Sequence, residues 1–79
     1  MRFERVGKTV KANGERVITY ISHNPEGWKL ESRREQIPHS GRPGTWEKTF
    51  YYVIAPDGTE EKRYSLRDAA EKAAEMART

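Results

Sequence analysis

Trp46-Glu47-Lys48-Thr49-Phe50-Tyr51-Tyr52-Val53-Ile54-Ala55, followed by Pro56-Asp57-Gly58 and then by Ser65-Leu66-Arg67-Asp68-Ala69-Ala70-Glu71-Lys72-Ala73, decides the fold of this 79-residue chain. The first run is rich in aromatic and β-branched residues and reads as a strand, with Phe50, Tyr52 and Ile54 facing one way and Tyr51 and Val53 the other. Pro56 presets its φ and Gly58 takes the left-handed position of a tight turn, so residues 59–64 return as a short, highly charged strand. Ser65 has the chemistry of a helix N-cap, and Asp68 three residues on is the acidic half of a capping box. Leu66, Ala69, Ala70, Ala73 and Ala77 then recur at helical spacing, with Met76 at their border. An alanine stripe is narrow and lets a helix lie close on a sheet. The alternation directs the bulkier set, Phe50, Tyr52 and Ile54, at that stripe.

The rest of the chain supplies more strands. Residues 28–33 alternate cleanly, placing Trp28 and Leu30 under the helix and Lys29, Glu31 and Arg33 on the other face. His23-Asn24-Pro25-Glu26-Gly27 is turn chemistry. Before it, Asn13-Gly14 predicts a hairpin with a type I′ turn between residues 3–12 and 15–22. Val17-Ile18-Thr19-Tyr20-Ile21 is apolar on both parities and reads as a central strand, whereas Phe3, Val6 and Val10 lie among charges and predict an edge. Residues 37–45 contain Pro38, Gly41, Pro43 and Gly44 and read as a long loop. The expected fold is α+β: a small antiparallel sheet of four to five strands packed against one C-terminal helix. It forms a single domain over residues 1–79, with an N-terminal hairpin at 1–22 and sheet plus helix at 25–78.

Composition narrows the function. At 9.2 kDa, with 34% hydrophobic and 34% charged residues, the chain has room for only one small core. It has no cysteine, which removes disulfides, thiolate metal sites and cysteine catalysis. The start, Met1-Arg2-Phe3-Glu4-Arg5, lacks the apolar segment of a secretory signal, and no run is long enough to span a bilayer, so an intracellular location away from membranes is expected. Two histidines, His23 and His39, lack metal-ligand spacing, and no glycine-rich phosphate loop is present. Ser40 beside His39 is no triad, and Glu60 and Glu61 point to opposite faces of an extended chain. The expectation is a non-enzyme with no cofactor, no metal and no small-molecule substrate.

The net charge is +3 and the sequence pI is near 9.4. The basic excess lies in the first two thirds of the chain, in residues 1–16 and also in residues 29–48, which hold five basic and three acidic groups. Residues 1–16 carry Arg2, Arg5, Lys8, Lys11 and Arg16 against Glu4 and Glu15, while the helical segment 66–79 is balanced. Pro25, Gly27 and Trp28, then Ser40-Gly41-Arg42-Pro43-Gly44, then Tyr52, Pro56 and Gly58, then Ser65 follow one another in an order that resembles the methyl-CpG-binding domain family over roughly residues 25–75. The sheet followed by a helix with Asp68-Ala69-Ala70-Glu71-Lys72-Ala73 is similar also to the AP2-type and integrase-arm DNA-binding domains. The resemblance implies a sheet whose outer residues and long loop enter the major groove. It casts Arg33 or Arg34 as a guanine contact and Tyr52 as a contact to methylated cytosine. The family's acidic position is held here by Phe50, and Tyr64 directly precedes Ser65 with Arg63 one residue back.

The expected partner is therefore double-stranded DNA, contacted in the major groove and along the backbone by a basic sheet face and the 37–45 loop. The candidate residues are Arg33, Arg34, Arg42, Lys48, Tyr52 and Arg63. Arg42, with no neighbouring acid, is the cleanest phosphate contact, whereas Glu31 and Glu35 flank the Arg33-Arg34 pair. The alternative is a protein-interaction or inhibitor module docking through a sheet edge or an aromatic patch. The two readings part on whether the cations share one surface or are interleaved by acids in space.

Overall fold

A computed structural model describes residues 1–78; Thr79, the last residue of the expected domain, lies outside them. Five strands, β1 (Phe3–Val10), β2 (Arg16–His23), β3 (Glu26–Pro38), β4 (Thr45–Ile54) and β5 (Glu60–Arg63), precede one helix, α1 (Leu66–Ala77). The strands form a single antiparallel meander in the order β1-β2-β3-β4-β5, and α1 packs across β3, β4 and β5. This is the expected α+β arrangement of an antiparallel sheet and one C-terminal helix. No helix among the described residues is long and apolar enough to cross a membrane.

The hairpin turns explain why the strands stop where they do. At the β1–β2 turn the Gly14 N–H donates to the Lys11 carbonyl at 2.9 Å and the Lys11 N–H to the Glu15 carbonyl at 2.8 Å. Only Gly14 has positive φ, at 86°; Asn13 does not. A type I′ turn needs positive φ at both central residues, so the expected turn is corrected to a type I turn closed by a left-handed glycine. Asn13 instead uses its side chain, whose Oδ1 accepts from the Glu15 N–H at 2.9 Å. The β4–β5 turn repeats the device. There the Gly58 N–H donates to Ala55, the Ala55 N–H to Thr59, and Asp57 Oδ1 accepts from the Thr59 N–H at 2.9 Å. That backbone hydrogen bond holds the exposed Asp57 carboxyl below its ordinary range.

The core lies between the sheet and the helix. Trp28, Leu30, Val53, Ala55, Ala69 and Ala73 form one buried cluster, and Phe3, Tyr20, Tyr51, Ala70 and Met76 pack against it. Trp28 and Leu30 thus lie beneath the helix as expected, and Ala69 and Ala73 are fully covered, while Leu66 at the helix start stays exposed. The face of β4 differs from the expectation. Val53 and Tyr51, not Phe50, Tyr52 and Ile54, meet the alanine stripe. The small alanine side chains leave room for Trp28 and Tyr51 beside Leu30 and Val53, so bulk on β4 does not decide which parity faces the helix. Phe50 is nonetheless buried, on the opposite face, beneath Lys62 at 3.7 Å from its ring and edge-on to Tyr64. The ammonium groups of Lys62 and Lys48 over its ring and the edge of Tyr64 cover it there in place of a second helix. Ser65 caps α1 as expected, its Oγ accepting from the Asp68 N–H at 3.1 Å.

The third correction concerns the long loop. β3 runs to Pro38 and β4 begins at Thr45, pairing Ile37 with Trp46 and Pro38 with Thr45, so only residues 39–44 are loop. Pro38 closes the strand from an edge position, where its missing N–H costs no ladder bond. Pairing of β2 with β3 ends at Arg16–Arg34, and pairing of β4 with β5 ends at Tyr51–Arg63. Residues 35–38 and 45–48 therefore project as a two-stranded ribbon beyond the sheet, on a molecule 45 Å long and 23 by 20 Å across.

Candidate nucleic-acid interface

Cross-strand partners share a face and successive residues alternate, so the register sorts every strand residue onto the helix side or the open side of the sheet. The six sequence-predicted site residues do not share one surface. Arg33, Lys48 and Tyr52 lie on the open side, and Arg34 and Arg63, opposite Thr49 and Tyr51, on the helix side. Arg42 sits alone at the ribbon tip, exposed and without an ion pair.

The open-side group is engaged internally. Arg33 Nε donates to Glu31 at 2.9 Å and its Nη2 to Glu60 at 3.0 Å, while the guanidinium stacks 4.0 Å from the Tyr52 ring. Burial opposes the charged form of Arg33, but hydrogen bonds and charge attraction from Glu31 and Glu60 outweigh it and hold its pKa above the ordinary value. Burial, then hydrogen bonding to Glu35, pushes the Tyr52 phenol up to about 12; its hydroxyl donates to Glu35 Oε1 at 2.7 Å. Lys62 lies 4.0 Å from the same carboxylate. Lys29, Arg33, Lys48 and Lys62 on this side thus face an equal number of acids, Glu4, Glu31, Glu35 and Glu60. Acids interleave the cations in space as they do in sequence, which for the six sequence-predicted residues favours the protein-interaction alternative over a DNA-binding face.

The helix side is different, and a β-bulge makes it so. The β1–β2 register slips between Arg5 and Gly7, so Arg5 pairs with Tyr20 and Lys8 with Ile18. Both partners lie on the helix side, which turns two residues three apart onto one face. Arg16 follows on β2, directly opposite Arg34 on β3. Among the strand residues, this side therefore gathers Arg5, Lys8, Arg16, Arg34 and Arg63 against two carboxylates, Glu47 and Glu61. Glu47 is bound to Arg34, 2.6 Å from its Nε, and Glu61 to Arg63 at 3.4 Å. Arg5, Lys8 and Arg16 are exposed and form no ion pair among the described residues. Because α1 covers β3 to β5, these three lie on the open part of the helix-side face, beside the helix.

Arg5, Lys8 and Arg16 were missed as individual site residues. Their signal was the basic excess of residues 1–16; what sequence alternation could not supply was the bulge that aligns Arg5 with Lys8. Arg16 stands opposite Arg34, whose charge Glu47 already meets. No known protein family, no curated protein and no solved structure matches this chain.

Proposed function

We propose that this domain binds double-stranded DNA, with the helix-side face of β1, β2 and β3 on the phosphate backbone and Arg42 at the ribbon tip reaching a further phosphate. The observation that carries the reading is the unequal division of charge: Arg5, Lys8 and Arg16 stand free on one face, whereas the cations of the other face are matched by acids. Exposed guanidinium and ammonium groups gathered on one face suit a polyanion, and the counterions that DNA releases on contact drive binding. Arg34 borders the same surface, so of the six sequence-predicted residues Arg34 and Arg42 belong to this interface, whereas Arg63 lies on β5 at the far edge of the sheet, beyond α1. Arg33, Lys48 and Tyr52 act instead as the covering of Phe50 and of the open side.

The test is a fluorescence-anisotropy titration of a random duplex with two charge-matched triple variants. Arg5→Ala/Lys8→Ala/Arg16→Ala is expected to weaken binding strongly, and Lys29→Ala/Lys62→Ala/Lys72→Ala only slightly. Equal loss in both would reduce the reading to net charge. One observation favours a second role for the open side: Trp46 and Tyr64 are exposed on either side of Lys48, whose ammonium lies 5.8 and 5.2 Å from their rings. With its charges balanced, that side suits a protein partner, and it takes over as the functional surface if duplex binding is absent.

A further inference from the structure

The helix-side face continues beyond Arg34 onto the projecting ribbon, and there its chemistry changes from charge to a chain of oriented hydrogen bonds. Thr45 Oγ1 donates to Gln36 Oε1 at 2.7 Å, Gln36 Nε2 donates to Glu47 Oε1 at 2.9 Å, and Glu47 Oε2 receives Arg34. All four side chains are exposed; Gln36, Thr45 and Glu47 lie on the ribbon, which has no third strand, and Arg34 lies at its root, opposite Arg16 of β2. Exposed polar contacts of this kind add little to stability, so the chain fixes orientation rather than the fold. It leaves the Gln36 amide held at both ends with one N–H and one carbonyl lone pair still free. An amide with a free donor beside a free acceptor matches the N7 and N6 edge of adenine in the major groove, and that groove admits a two-stranded β-ribbon.

Resting on the duplex reading above, we infer that the β3–β4 ribbon is the base-reading element of this domain, with Gln36 as an adenine contact and Glu47 as the residue that positions it. The division of labour follows from the surface: Arg5, Lys8 and Arg16 hold phosphates without regard to sequence, and the ribbon beyond them meets base edges. Glu47 is a positioning residue, since it touches Gln36 and not the base. A carboxylate this close to DNA weakens binding to every duplex, and its retention is explained by the orientation it gives.

Selection from a randomised duplex pool, followed by competition titrations, tests this. The wild-type chain is expected to enrich a short site containing adenine. Gln36→Ala should lose discrimination at that base, by roughly 5- to 150-fold, while keeping its affinity for random duplex within about twofold. Glu47→Ala should lose the same preference, whereas Glu47→Gln, which keeps an acceptor for the Gln36 amide, should keep the preference and bind all duplexes more tightly. A role confined to folding would not separate these two variants. Salt-dependent binding with no enriched site, or an enriched site unchanged in Gln36→Ala, overturns the base-reading role and leaves the phosphate face standing. Absence of salt-dependent binding overturns both.

Discussion

Threonine in place of Val53 isolates the core from everything else in the molecule. Val53 is fully buried at the centre of the cluster beneath α1, between Leu30 across the strand pair and the Ala69–Ala73 stripe. Threonine matches valine in shape, so the substitution opens no cavity; it places a hydroxyl where the neighbours are apolar. An unsatisfied buried hydroxyl costs about 1–3 kcal/mol. A domain of this size has a total stability on the order of 4–12 kcal/mol, so the loss is a large share of it. With a urea m-value of about 1 kcal/mol per molar for a small domain, the midpoint should fall by roughly 1–3 M. The same change at Val10, 61% exposed on the edge strand, should move it by less than about 0.5 M. The pair also tests the register, because bulk alone assigns Val53 to the outer face, where threonine is harmless. Equal midpoints for the two variants would refute the placement of the core.

Two further outcomes follow from local chemistry. Ser65→Ala should cost about 1 kcal/mol by stranding the Asp68 N–H, lowering Tm by about 4–8 °C, and Ser65→Asp should restore it; a melting curve unchanged in Ser65→Ala would place the helix start elsewhere. Tyr52, raised to about 12 in the fold by burial and then by Glu35, holds its proton more tightly folded than unfolded. The stability this supplies is whole below the unfolded value near 10 and is lost as pH rises through about 12. Absorbance near 295 nm should show one late-ionising tyrosine that disappears in Tyr52→Phe.

Much of the fold was legible because local signals agreed with one another. Ser65 with Asp68, the turn residues Pro56-Asp57-Gly58, and the clean alternation around Trp28 each fix an element, and each holds in the structure. What misled was bulk. On β4 the larger side chains fall on the parity of Phe50, but Val53 and Tyr51 meet the alanine helix, and lysine ammonium groups with Tyr64 cover the phenylalanine instead. The prolines of the 37–45 segment read as a loop, yet Pro38 sits in a terminal, edge-tolerant strand position. The candidate interface was less legible still. Its charges were visible as the basic excess of the first sixteen residues, but their alignment depends on the Arg5–Gly7 bulge, whose signal, the lone Gly7 inside a strand, charge counting passes over.

The slope of log K against log salt for a random duplex tests the central claim most directly, because it counts phosphates neutralised rather than affinity alone. If Arg5, Lys8 and Arg16 each meet one phosphate, removing all three should flatten the slope by about 2.7, and Arg42→Ala alone by about 0.9. A wild-type slope that the triple variant leaves unchanged, or wild-type binding that does not vary with salt, would contradict the assignment of this face to DNA.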